Sequence, residues 1–131
     1  MAGTVACKRL GGPGCGASGV ELTWVSDASG DATGSVAVSG RIAGVEFTPG
    51  TGGSVPTDNY DVTLSTDNGI DVLGGQGANL SQTTATHTQL VCTVGALTFP
   101  VERAVIGVLD LVVDNAGDTK SGTITVFLAN E

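Results

Sequence analysis

The stretch that decides the fold runs from Asn59 to Ser81 and reads NYDVTLSTDNGIDVLGGQGANLS. Apolar and polar residues alternate from Tyr60 to Ser65, which is typical of a strand with one buried face. The Asn68-Gly69 pair predicts a tight hairpin turn, because asparagine and glycine tolerate the positive φ angles of such turns. Ile70 and Val72 are then expected to return as a second short strand. The segment therefore predicts a β-hairpin inside an all-β domain.

The same two-residue period recurs on both sides of this hairpin. Apolar residues alternate in five further stretches, namely Val20–Trp24, Val36–Ile42, Val45–Phe47, Leu109–Val113 and Ile124–Leu128. The apolar parity reverses after Ile42, so a β-bulge near Ala43-Gly44 is expected to keep one face buried. Shorter strands are expected around Leu90–Cys92 and Leu97–Phe99. The pattern predicts an all-β fold, a single-domain β-sandwich or β-barrel of about seven or eight short antiparallel strands.

Composition narrows the class of protein. The chain has 131 residues, enough for one domain with a buried core. Its 21 glycines disfavour long helices, because a glycine inside a helix costs about 1 kcal/mol relative to alanine. With 13 acidic and 5 basic residues the net charge is -8, so phosphates are repelled and no nucleic-acid partner is expected. No apolar stretch approaches the roughly 20 residues of a membrane-spanning helix, so no membrane partner is expected either.

The first eighteen residues differ from the rest of the chain. They contain Gly11, Gly12, Pro13, Gly14 and Gly16, which favour irregular backbone. The sequence therefore predicts a flexible, glycine-rich N-terminal arm over residues 1–18 and a β-domain over residues 19–131.

Four residues are candidates for contacts with other chains. Lys8 and Arg9 are two of the five basic residues, and a basic arm on an acidic body can reach a neighbouring subunit. A frayed terminus is the alternative for this segment. Val112 and Phe127 fall at polar positions of their alternating strands, so their faces are expected to be covered or to lie at a subunit interface.

Motifs for catalysis and metal binding are weak. His87 is the only histidine, and no Gly-x-Ser-x-Gly sequence accompanies it. The run Gly14–Gly19 matches Gly-x-Gly-x-x-Gly but lacks the strand and helix of a dinucleotide site. Asp67 and Asp71 flank a glycine as in some calcium loops, without the remaining ligands, and solvated turn carboxylates are the alternative. No catalytic residue, metal ligand or cofactor is therefore assigned, and the chain is not expected to be an enzyme.

Two groups of motifs resemble a pattern found in structural proteins of tailed, siphovirus-type bacteriophages. The first group comprises Tyr60–Leu64, Asp67–Gly75 and Gly77–Ser81, and the second comprises Leu109–Gly117 and Ser121–Leu128. Together they occupy the C-terminal half to two-thirds of the chain and leave residues 1–18 outside.

The resemblance implies a virion component. It implies a capsid decoration, or cement, protein that binds the outer head surface, contacts the major capsid protein and stabilises capsomer contacts as a homo-oligomer, expected to be a trimer. Such a protein is made in the cytoplasm of the bacterial host and resides on the capsid exterior. A head–tail junction or tail structural protein is the alternative within the virion. A glycan-binding β-sandwich module is the alternative from another class.

Overall fold

The computed structural model describes residues 3–11, 17–88, 91–100 and 103–129. This part of the chain contains nine strands and one short 3-10 helix, Gly52–Ser54. The strands are β1 Thr4–Gly11, β2 Ala17–Val25, β3 Ala32–Pro49, β4 Asp61–Ser65, β5 Thr86–Thr88, β6 Val91–Val94, β7 Leu97–Pro100, β8 Arg103–Asp114 and β9 Ser121–Ala129. No helix within these residues is long and apolar enough to cross a membrane.

Seven of the strands form one antiparallel sheet that bends at β3. The order is β1-β2-β9-β3-β8-β4, with β5 also paired to β3, while β6 and β7 form a separate hairpin. The first part of β3, Ala32–Ile42, pairs with β8, and its second part, Arg41–Pro49, pairs with β9. Gly40 and Gly107 lie near the bend with φ angles of 143° and 108°. Side chains rarely adopt such angles, so glycine permits the change of direction.

The bent sheet forms the two layers of a sandwich. Trp24 of β2 and Tyr60, next to β4, come from opposite ends of the strand order, yet their ring centroids lie 5.6 Å apart. Layer 1 consists of β1, β2, β9, the second part of β3 and β5; layer 2 consists of the first part of β3, β8 and β4. The fold is therefore the expected all-β sandwich of antiparallel strands, and the barrel alternative is wrong because the sheet does not close.

The core confirms the alternation read from the sequence. Buried side chains come from every predicted long strand, including Val20, Leu22, Trp24, Val36, Val38, Ile42, Val45, Phe47, Val62, Leu64, Leu109, Leu111, Val113, Ile124, Val126 and Leu128. The register between β3 and β9 shifts between Ile42 and Gly44. This shift is the predicted bulge, and it lets Ile42 and Val45 both face the core although their parities differ.

The predicted hairpin is half wrong. Its first strand is β4, but the return segment is a loop with a single bridge between Ser65 and Asp71. Of the turn pair, only Gly69 has positive φ, and its N–H donates to the Thr66 carbonyl. This geometry is a type I turn with a glycine bulge rather than a type I′ turn. Ile70 consequently stays 57% exposed.

The N-terminal arm needs a larger correction. Thr4–Gly11 is a regular strand, paired residue by residue with Ser18–Val25 of β2. Val5 packs partly buried against the core. The prediction of an arm rested on the glycine and proline residues between 11 and 16. It did not take account of the apolar Val5 in the segment before them. Residues 1, 2 and 12–16, which also belong to the predicted arm, lie outside the described residues.

Candidate functional site

The outer face of layer 1 is rich in threonine and carries residues of both charges. Directly opposed residues of antiparallel strands project from the same side of a sheet, so the registers of β1, β2, β9, β3 and β5 give its members. We call it the threonine face and define it by Thr4, Ala6, Lys8, Glu21, Thr23, Val25, Glu46, Thr48, His87, Ser121, Thr123, Thr125 and Phe127. None of these residues is buried.

Two neighbouring rows show the character of the threonine face. In one row Thr23, Thr123 and Thr48 stand side by side on β2, β9 and β3. In the next row the order across five strands is Lys8, Glu21, Thr125, Glu46 and His87. Threonine is stiff at χ1, so covering it with a partner costs little side-chain entropy. The threonine face is therefore suited to be covered by another molecule.

An aromatic and titratable cluster lies at one end of the threonine face. Phe127 is 37% exposed, and its ring centroid is 5.5 Å from that of His87, with the planes tilted by 51°. His87 Nδ1 is 3.9 Å from Glu46 Oε2. Gly19 and Gly44 stand opposite Phe127 on the two neighbouring strands, so no side chain flanks the ring within its row. The cluster gives the threonine face an apolar anchor beside an ion pair that depends on histidine protonation.

The four predicted contact residues do not converge on one patch. Lys8 and Phe127 both belong to the threonine face. Arg9 points the other way, opposite the buried Val20, and its guanidinium donates a hydrogen bond to the Ala37 carbonyl of β3. This contact ties β1 to layer 2 within the same chain.

Val112, the fourth of these residues, lies on the outer face of layer 2. It stands half-buried between Thr33 and Thr63 on the neighbouring strands. The outer faces of layers 1 and 2 point away from each other, so Val112 and Phe127 cannot contact one partner surface together.

The carboxylates near the predicted turn organise the loop. Asp71 Oδ1 accepts hydrogen bonds from the Leu64 and Leu73 N–H groups, each at 3.1 Å, and its Oδ2 accepts one from Gly75. Asp61 likewise accepts a hydrogen bond from the Asn79 main-chain N–H at 2.8 Å and one from the Asn115 side-chain amide at 3.0 Å. Within the described ranges, no group of three His, Cys, Asp or Glu side chains is placed to hold a metal ion.

Three aspartates meet where β3, β8 and β4 begin or end. Asp114 stands opposite Asp61 across β8 and β4, and it also contacts Asp31. Desolvation raises the pKa of Asp114, and the hydrogen bond and charge of Asp31 and the charge of Asp61 raise it further. The three carboxylates repel one another at neutral pH, and this repulsion decreases when one of them is protonated.

A cleft of about 370 Å³ lies at the same end of the sandwich as this aspartate cluster. Its lining includes Thr4, Val25, Asp27 and Asp118. The pKa of Asp27 is lowered, chiefly by a hydrogen bond from the Asp31 main-chain N–H. Because its carboxylate oxygen is already engaged by the Ser29 and Asp31 main chain, Asp27 shapes the loop, and the cleft offers little chemistry of its own.

Sequence reasoning found two members of the threonine face and missed the rest. The sequence does contain a signal for this face, because its threonines alternate with core residues. Thr123 and Thr125 flank the buried Ile124, and Thr23 and Thr48 are each next to a buried aromatic residue. What the sequence does not show is which strands are neighbours, and the rows exist only through the order β1-β2-β9-β3-β5. No protein-family model matches the chain, and no curated protein matches it.

Proposed function

We propose that the chain is a structural protein of a tailed-bacteriophage virion, a capsid decoration protein that assembles on the outer head surface next to the major capsid protein. The motifs that resemble virion proteins support this proposal. Those motifs belong to β4, its following loop, β8 and β9, and β4 and β8 pair directly. The resemblance therefore extends over both layers, with β4 and β8 in layer 2 and β9 in layer 1.

The single observation that carries the proposal is the threonine face. It spans five strands and holds only two of the 13 acidic residues, Glu21 and Glu46. With Lys8 counted as +1 and Glu21 and Glu46 as -1 each, the threonine face has a net charge of -1, whereas the chain as a whole has -8. A face with little net charge repels a protein partner less than the rest of this acidic surface does, so it is the better candidate for contact. Many copies on a shell also multiply weak contacts through avidity.

Two rivals remain distinct from this proposal. A head–tail junction or tail protein would use the same kind of surface but would be present in far fewer copies. A glycan-binding module needs exposed aromatic rings, and the single Trp and Tyr, Trp24 and Tyr60, are buried against each other. Only Phe127 and His87 are left on the threonine face to stack on a sugar, which weakens that alternative.

Copy number in purified virus particles tests the proposal. Quantitative mass spectrometry would measure this chain relative to the major capsid protein in particles from the virus that encodes it. A decoration protein gives a ratio on the order of one chain per several capsid subunits or higher. A ratio typical of a connector ring would favour the head–tail junction alternative. Absence of the chain from the particles would contradict the proposal.

A further inference from the structure

We infer that the threonine face binds a second copy of this chain, face to face, about a twofold axis. The inference deepens the proposed function, because it names the partner of the threonine face. It also revises the trimer expected from the resemblance, since a face that binds itself gives an isologous dimer.

The charge order across the threonine face is the first argument. Lys8 lies on β1, at one side, and Glu46 lies on β3, three strands away. At about 4.8 Å per strand the separation is about 14 Å, too far for the two side chains to pair within one chain. No ion pair joins Lys8 to any residue that the structure describes. Lys8 stands beside Glu21 without forming an ion pair with it, and the basic side chain near Glu46 is His87. A second copy that places Lys8 against Glu46 would therefore add a charge pair that the single chain does not form.

The position of the twofold axis follows from this order. An axis parallel to the strands and midway between β2 and β9 places Lys8 of each copy over Glu46 of the other. The same axis places Glu21 over Thr125, so no acidic pair is formed. Moving the axis onto β9 would set Glu21 against Glu46, which is repulsive and unfavourable. Charge complementarity thus selects one alignment of the two faces.

The apolar and threonine residues supply the rest of the interface. Phe127 and Val25 are each 37% exposed on this face, and the row of Thr23, Thr123 and Thr48 lies between them. Four strands and four rows cover about 20 Å by 25 Å, or about 500 Å² for each copy. That area is below the roughly 800 Å² per partner of a standard interface. We therefore expect a dissociation constant in the micromolar range.

Sedimentation velocity of the purified chain, over about 1 μM to 1 mM, measures the affinity of the dimer. The inference is tested by exchanging the charges at positions 8 and 46. Lys8→Glu and Glu46→Lys should each weaken the dimer by about tenfold to a hundredfold, because each substitution sets like charges together twice. The double variant K8E/E46K should return to within about threefold of the original affinity. Asp67→Lys, at an exposed turn, matches the charge change of Glu46→Lys and should leave the affinity unchanged.

A second pair of variants tests the apolar part of the interface. Phe127→Ser should weaken the dimer by tenfold or more, whereas Val108→Ser should not. Val108 is the matched control, because it is 46% exposed on the outer face of layer 2. Trp24 fluorescence shows in each case that the variant is folded.

Three results would overturn the inference: a monomer up to 1 mM, a trimer, or a double charge variant no better than the single ones. Each of these leaves the proposed function standing, because the particle composition tests that function independently.

Discussion

Gly122 makes room for the indole of Trp24, and replacing it with alanine tests the packing of the core. The two residues stand opposite each other on β9 and β2. A Cβ atom at position 122 would lie 2.6 Å from Trp24 Cζ2, 2.9 Å from Cε2 and 3.0 Å from the Thr48 carbonyl. The indole has little room to move, because Trp24 is fully buried and packs on Tyr60.

The expected loss of stability follows from these distances. Overpacking a filled core costs about 1–3 kcal/mol. The lower entropy of the unfolded alanine chain returns about 0.4–1 kcal/mol. Gly122→Ala should therefore lower the free energy of unfolding by about 1–2 kcal/mol. For a chain of this size that corresponds to a fall in Tm of about 4–8 °C.

Urea unfolding followed by Trp24 fluorescence measures this loss, because the only tryptophan is fully buried in the core. Gly53→Ala is the matched control, since a Cβ there meets nothing within 4 Å and its backbone is outside the left-handed region. We expect this control to match or slightly exceed the original stability. Equal midpoints for Gly122→Ala and Gly53→Ala would refute the stated packing of Trp24.

Three further substitutions probe the carboxylates and the buried phenol. Asp114→Asn should raise Tm at pH 7, because the pKa of Asp114 is raised and its ionised form therefore destabilises the fold. The difference in Tm between the variant and the original chain should shrink as the pH falls toward about 4, where the carboxyl is protonated. A difference that does not change with pH would contradict this. Asp71→Ala should cost about 1–3 kcal/mol, since the half-buried N–H groups of Leu64 and Leu73 lose their acceptor, as does the exposed N–H of Gly75. Asp67→Ala should be neutral in the same urea titration. Burial raises the pKa of Tyr60 to about 12, so stability should fall as the pH rises above about 10, where the unfolded phenol ionises. Tyr60→Phe should flatten that alkaline decline, and an unchanged slope would argue against burial as its cause.

The sandwich was predictable because the alternation of apolar residues survives without tertiary information. Trp24, Phe47, Leu111 and Ile124 all occupy core positions that the two-residue period assigns. Even the bulge near Gly44 is encoded, because one face cannot stay buried across the parity change after Ile42 without an extra residue.

The errors arose where tertiary contacts override local preference. The second strand of the predicted hairpin, expected from Ile70 and Val72, is a loop in the structure. Asp71 stabilises this loop by accepting hydrogen bonds from three main-chain N–H groups. Strand β1 was missed because its stability comes from pairing with β2, from Val5 against Gly34 and from Arg9 on the Ala37 carbonyl. The contacts of Val5 and Arg9 bring together residues about thirty positions apart, which no local pattern reveals.

The threonine face was only partly predictable for a related reason. Phe127 is conspicuous as an apolar residue at a polar position of its strand. The complementary order of Lys8 and Glu46, in contrast, depends on β9 lying between β2 and β3, and strand order is set by the whole sheet.

Electron cryomicroscopy of the virus particles tests the central claim most directly. We expect density for this sandwich in many copies on the outer head surface, with the threonine face of each copy covered by another. Particles whose heads lack this density, or copies whose threonine face is open to solvent, would contradict the claim.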